Sequence, residues 1–220
     1  MFRDRTDAGR RLAAELLRFK DCRPCVLALP RGGVPVAFEV AAALRAPLDL
    51  VIVRKIGAPM QPELAVGAVV DGEHPELVLN QQIIDILGIS SDYIESERAR
   101  QLREIERRRR LYVEGRPRVN VEGRTAIVID DGIATGASIR AALKALRRAK
   151  PERLVLAVPV APSDALAALR EEADEIVCLE EHDPFGAISL YYRDFAQLTD
   201  DEVRVLMTRA EQLQTEGTAT

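Results

Sequence analysis

AIVIDDGIATGAS, residues Ala126–Ser138, joins an apolar strand to a helix through two acids and a glycine-containing loop. Ala126-Ile127-Val128-Ile129 reads as a buried strand, since a short continuous apolar run before a turn suits a strand covered on both faces. Asp130 and Asp131 end it, Gly132–Ala137 form the loop, and Ser138-Ile139-Arg140 open the helix. First-turn amides of a helix lack internal partners and the helix dipole favours negative charge, so this unit is an anion site. Gly136 lets the backbone approach a phosphate closely, and Thr135 and Ser138 supply hydroxyls. Acids at the strand tip suit a polyol or a metal beside that phosphate. The implied ligand is a sugar phosphate.

Outward from this unit the chain alternates strands and helices. An amphipathic helix is expected over Asp7–Phe19, a strand over Cys25–Leu29, a helix over Val34–Leu44 and a second buried strand over Leu48–Ile56. Leu64–Val70 and Leu77–Leu79, around Asp71-Gly72-Glu73-His74-Pro75, have the pattern of a hairpin. A charged helix spans Asp92–Tyr112, with Asp92 and Glu95 spaced as a capping box and Ile94, Leu102, Ile105 and Leu111 as a thin apolar stripe. Its Arg107–Arg110 run fits a solvated last turn that favours the dipole, with substrate-phosphate steering or an acidic partner as alternatives. Leu154–Val160 and Ile176–Leu179 read as strands around a helix at Asp164–Ala173, and Asp200–Gln214 as a final helix. The expected fold is a single α/β domain over residues 1–220, a doubly wound parallel sheet. Residues 57–116 form a hairpin and helix insertion, and residues 184–220 a small C-terminal hood.

Composition narrows the classes. The 220 residues are 47% hydrophobic and 30% charged, with a net charge of −4. No basic excess points to non-specific nucleic-acid binding. No uncharged stretch is long enough to span a bilayer, and Met1–Arg5 lacks an apolar signal core, so a cytoplasmic location is expected. Cys22 and Cys25 form a C-x-x-C, but no second pair follows and only His74 and His182 could add nitrogen ligands. A structural role for Cys25 in its apolar strand is the expectation. Neither a G-x-x-x-x-G-K-[ST] loop nor a G-x-G-x-x-G fingerprint occurs.

The Ala126–Ser138 pattern resembles the ribose-5-phosphate loop of the type I phosphoribosyltransferases, and the resemblance covers most of Cys25–Val160. It implies that Asp130 and Asp131 hold the ribose hydroxyls of 5-phosphoribosyl 1-pyrophosphate (PRPP), directly or indirectly with Mg²⁺, while Ala134, Thr135, Gly136, Ala137 and Ser138 hold the 5-phosphate. Side chains alternate along a strand, so both acids reach one ribose only if the chain leaves strand geometry near Asp131. Pro30-Arg31-Gly32-Gly33 repeats the anion-site logic after the first strand, and both loops leave strand carboxyl ends, where open parallel sheets bind ligands. The resemblance makes Arg31, Gly32 and Gly33 a pyrophosphate loop, with a non-proline cis peptide between Pro30 and Arg31, and adds Lys55 as a second pyrophosphate cation.

Departures from the family pattern matter too. Ala134 stands where the 6-oxopurine enzymes carry an aspartate beside the base, so that route to hypoxanthine or guanine is disfavoured. The mobile loop of the family corresponds either to Gly57–Pro62 or to the helical insertion. Phe185, Tyr191, Tyr192 and Phe195 cluster in a chain with 4% aromatics. Phe185, Tyr191 and Tyr192 are candidates to stack on a base, the alternative being that these rings seat the final helix. The function implied is Mg²⁺-dependent transfer of phosphoribosyl from PRPP to a purine or pyrimidine base, as in nucleotide salvage. A non-catalytic regulator that senses PRPP or a nucleotide is the alternative, with a phosphoribosyl hydrolase a third reading. Related enzymes are commonly homodimers.

Overall fold

Five strands rich in apolar residues line up in parallel. They are β1 (Pro24–Ala28), β2 (Leu48–Leu50), β6 (Thr125–Ile129), β7 (Arg153–Pro162) and β8 (Glu175–His182), in the order β2-β1-β6-β7-β8. The structure, a computed structural model, describes residues 1–72, 75–113 and 115–218. Alternate residues of the central strands enter two cores. Val26, Ala28, Ile127, Ile129, Val155 and Ala157 face α1 (Arg5–Leu16) and α2 (Gly33–Leu44). Leu27, Val128, Leu156 and Val158 face α5 (Ala137–Arg148) and α6 (Ser163–Leu169). Burial on both faces is why these strands read as continuous apolar runs rather than alternating ones. Cys25 lies in the second core with its thiol pushed up to about 11 by burial, while Cys22 is exposed.

The expected strand Leu48–Ile56 is two strands. After β2 the chain turns away, and β3 (Val53–Ala58) pairs with β4 (Gln61–Val70) and β5 (Glu76–Leu79) in a separate antiparallel sheet. The Leu64–Val70 and Leu77–Leu79 runs do pair antiparallel. Glu73 and His74 of their turn lie outside the described residues. A helix not foreseen, α3 (Gln81–Leu87), precedes the charged helix α4 (Ser91–Val113); the last helix is α7 (Asp200–Thr218). Among the described residues no helix is long and apolar enough to cross a membrane.

The Arg107–Arg110 run is not uniformly solvated. Arg107 and Arg108 bond Glu104, whose carboxyl their guanidinium groups hold down at about 2. Arg109 turns inward, its Nη2 bonding both oxygens of Asp49 at 3.0 Å and its Nη1 bonding Asp71 at 3.0 Å. Both acids are buried, and Asp71 also takes Arg118. This network ties α4 to β2 and to the end of β4, which fixes the small sheet against the large one.

Candidate functional site

β1 and β6 are neighbours in register, so the loops that follow them leave the sheet side by side. Asp130 already lies outside β6, which removes the alternation that would have set the two acids on opposite faces. The two loops interlock. A side-chain carbon on Gly32 would fall 2.2 Å from Asp131 Oδ2, and one on Gly33 would fall 2.6 Å from the Ile129 carbonyl oxygen. These glycines therefore admit the acid pair as well as leaving backbone open for an anion. The Pro30–Arg31 peptide is cis.

Each loop runs straight into a helix whose N-cap offers no side-chain acceptor: Gly32 before α2 and Gly136 before α5. Gly136 has φ +73°, a left-handed conformation that disfavours any side chain, so its glycine is needed for the turn itself. α5 begins at Ala137, one residue before the expected Ser138; Ala134, Thr135 and Ser138 line the loop and the first turn.

The acids are not equivalent. Asp131 is 7% exposed, and its Oδ2 accepts from Arg5 Nε at 2.7 Å. Burial pushes its carboxyl upward and the Arg5 guanidinium opposes this. Asp130 accepts the Asp131 backbone N–H at 2.9 Å and has no cation of its own among the described residues. Burial first, and then the Asp131 charge, drive its carboxyl well above the usual range. Arg5 comes from the first turn of α1 and carried no motif; nothing local in its sequence marks a residue whose role arises only from a contact 126 positions away.

Two cavities flank this centre. One, of about 480 Å³, is lined by Arg5, Arg31, Gly32, Asp131, Phe195 and Gln197 among others. Arg31 stands there with Nη1 3.6 Å from Asp200 Oδ1, and Asp200 also accepts from the Tyr112 hydroxyl at 2.6 Å. The other, of about 340 Å³, lies between the small sheet and α5, lined by Lys55, Ala137, Ser138 and Arg140 among others. Lys55 thus lies on the Ser138 side rather than beside Arg31, because its strand belongs to the second sheet. It has no ion-pair partner among the described residues.

Of the aromatic candidates, Tyr192 is 5% exposed, packs against Phe2 and Phe195, and donates its hydroxyl to the Asp131 carbonyl at 2.6 Å. Phe185 and Tyr191 stack on each other at 5.0 Å, and Tyr191 stacks on His182. The ring on the cavity wall is Phe195, with the Arg5 guanidinium 3.8 Å from its centroid. No cluster of three or more His, Cys, Asp or Glu residues suited to a metal occurs among the described residues. Two carboxylates beside an anion site suit Mg²⁺, which takes one or two protein carboxylates and completes its shell with substrate phosphates and water.

A five-stranded parallel sheet with two glycine-opened loop-to-helix turns and an acid pair at its carboxyl edge defines a doubly wound α/β protein. A family model described as the phosphoribosyl transferase domain matches residues 77–195, just over half the chain. Two Mycobacterium tuberculosis proteins, from strains CDC 1551 / Oshkosh and ATCC 25618 / H37Rv, each bear the name "Putative phosphoribosyl transferase". Both are 45% identical over 210 residues, 96% of this chain and 47% of theirs. The chain therefore spans about half the length of these curated relatives. The crystal structure of TT1426 from Thermus thermophilus is 43% identical and superimposes with a TM-score of 0.79, covering 95% of this chain and 98% of that one. The chain belongs to the phosphoribosyl transferase domain family, with the type I fold. The family match begins after Arg31 and Lys55, so their places rest on the geometry above.

Proposed function

We propose that this chain transfers phosphoribosyl from PRPP to a purine or pyrimidine base, releasing pyrophosphate. The observation that carries the reading is the interlocked pair of loops, which sets the buried Asp131 and the half-buried Asp130 between two glycine-opened helix N-termini. The Thr135–Ser138 loop takes the 5-phosphate on free amides and hydroxyls. Asp130 and Asp131 accept the ribose hydroxyls and face the positive charge that builds on the sugar as the leaving group departs. Arg31 neutralises pyrophosphate from one side, and Lys55 adds charge from the Ser138 side. Mg²⁺, held through the acids and the substrate phosphates, would supply further charge neutralisation on the leaving group. Positioning and charge suffice, so no covalent nucleophile is needed.

Incubation with PRPP, Mg²⁺ and a panel of bases, following pyrophosphate release, tests the proposal. Release that depends on one base and is lost in Asp131→Asn is the expected result. PRPP binding without release, whether base or water is the acceptor, would move the reading to a PRPP-sensing regulator. Ala134, which brings no carboxylate to the base side, is the residue that favours that second reading.

A further inference from the structure

We propose that Arg5 is a positioning residue of this site: it fixes the Asp131 carboxylate for the ribose and ties that acid to the 195–196 segment. The role rests on the ribose assignment of Asp131. The guanidinium makes three separate contacts. Nε donates to Asp131 Oδ2 at 2.7 Å, Nη1 donates to the Ala196 carbonyl at 2.9 Å, and the plane covers Phe195 at 3.8 Å. The Arg5 and Asp131 side chains are each 11% exposed, so the pair is shielded from bulk water and from salt. Arg5 and Asp131 also line the same cavity as Arg31, which places the guanidinium inside the site rather than behind it.

The backbone holds Arg5 in place. Phe2 N–H donates to the Tyr191 carbonyl at 2.8 Å, and the Arg193 and Asp194 N–H groups donate to the Phe2 and Arg3 carbonyls, each at 2.9 Å. Phe2 is 1% exposed against Tyr192, and Asp4 caps α1 by accepting from Asp7 N–H at 2.7 Å. Met1–Arg5 thus runs beside Tyr191–Asp194, and both segments end on one residue. Tyr192 donates to the Asp131 carbonyl and Arg5 bonds its carboxylate. A carboxylate gripped at both its backbone and its side chain loses little freedom when a sugar hydroxyl arrives, which is how preorganisation raises affinity. Lysine would keep the charge but cannot reproduce the planar fork or cover Phe195 as well.

Calorimetric titration of PRPP in the presence of Mg²⁺, on the full chain, tests this. Arg5→Ala is expected to weaken PRPP binding tenfold or more, and Arg5→Lys to recover part of the loss. The loss in Arg5→Ala/Asp131→Asn should fall well short of the product of the single losses, because the two residues act as one unit. If Arg5→Ala does not fold, Arg5→Met, which keeps the stem, replaces it in the same comparison. Wild-type affinity in the folded Arg5 variant, or fully multiplicative losses, overturns this role while leaving the proposed function standing. Failure of the wild-type chain to bind PRPP overturns both.

Discussion

Two adjacent aspartates in one site should respond in opposite ways to the same isosteric change. Asp131→Asn removes the negative partner of Arg5 in a pair whose side chains are each 11% exposed. A hydrogen bond to a charged group is worth about 1.5–3 kcal/mol. Arg5 keeps the Ala196 carbonyl and the Phe195 face, and the asparagine carbonyl still accepts. The loss should therefore be about 1–2 kcal/mol, or about 2–8 °C in Tm for a chain of this size. Asp130→Asn keeps an acceptor for the Asp131 N–H and removes a carboxyl that burial and the neighbouring Asp131 charge push well above the usual range. A carboxyl whose pKa is raised by folding contributes stability in full below its unfolded pKa and loses it as pH rises. Relief of that penalty should move Tm upward. Thermal unfolding without ligand at about pH 4, near the ordinary aspartate range, and at about pH 7.5 is the assay. Asp130→Asn should be more stable than wild type at the higher pH and closer to it at the lower, and both variants should bind PRPP more weakly. A drop in Tm at the higher pH for Asp130→Asn equal to that for Asp131→Asn would refute the asymmetry between the acids.

Other perturbations follow from the same contacts. Arg109→Ala strips the guanidinium from buried Asp49 and Asp71 and should cost about 3–5 kcal/mol in urea unfolding, whereas Arg109→Met with both acids changed to Asn should recover part of that. Glu104→Gln should cost less than about 1 kcal/mol, since its pairs with Arg107 and Arg108 are partly exposed. Because the Glu104 carboxyl is held down at about 2, its contribution is present above the usual glutamate range and disappears as pH falls toward 2 in acid unfolding curves. Arg31→Ala should weaken inorganic pyrophosphate and PRPP together in competition assays, and ribose 5-phosphate much less; equal weakening of all three would remove Arg31 from the pyrophosphate loop.

What could be read from the sequence was whatever a single segment encodes. The runs at Ala126–Ile129 and Leu154–Val160 are apolar because both faces of each strand are covered, so they announced a parallel sheet. Each of the two site loops is likewise a strand, a glycine turn and a helix start in continuous sequence. Lys55 was placed differently because a break at Val51-Ile52, inside an unbroken apolar run, sends its strand into the second sheet; no glycine or proline marks the break. Arg109 resembled its three arginine neighbours, and only the helix rotation that brings it over two buried acids separates it from them. Arg5 is the fullest case. Its effect on the site depends on an N-terminal segment meeting the 191–196 segment over Asp131, three pieces of chain with no sequence relation to one another. A motif reading stops at the residues that touch the ligand, whereas the charge and orientation of those residues here are set by side chains that long-range folding brings in.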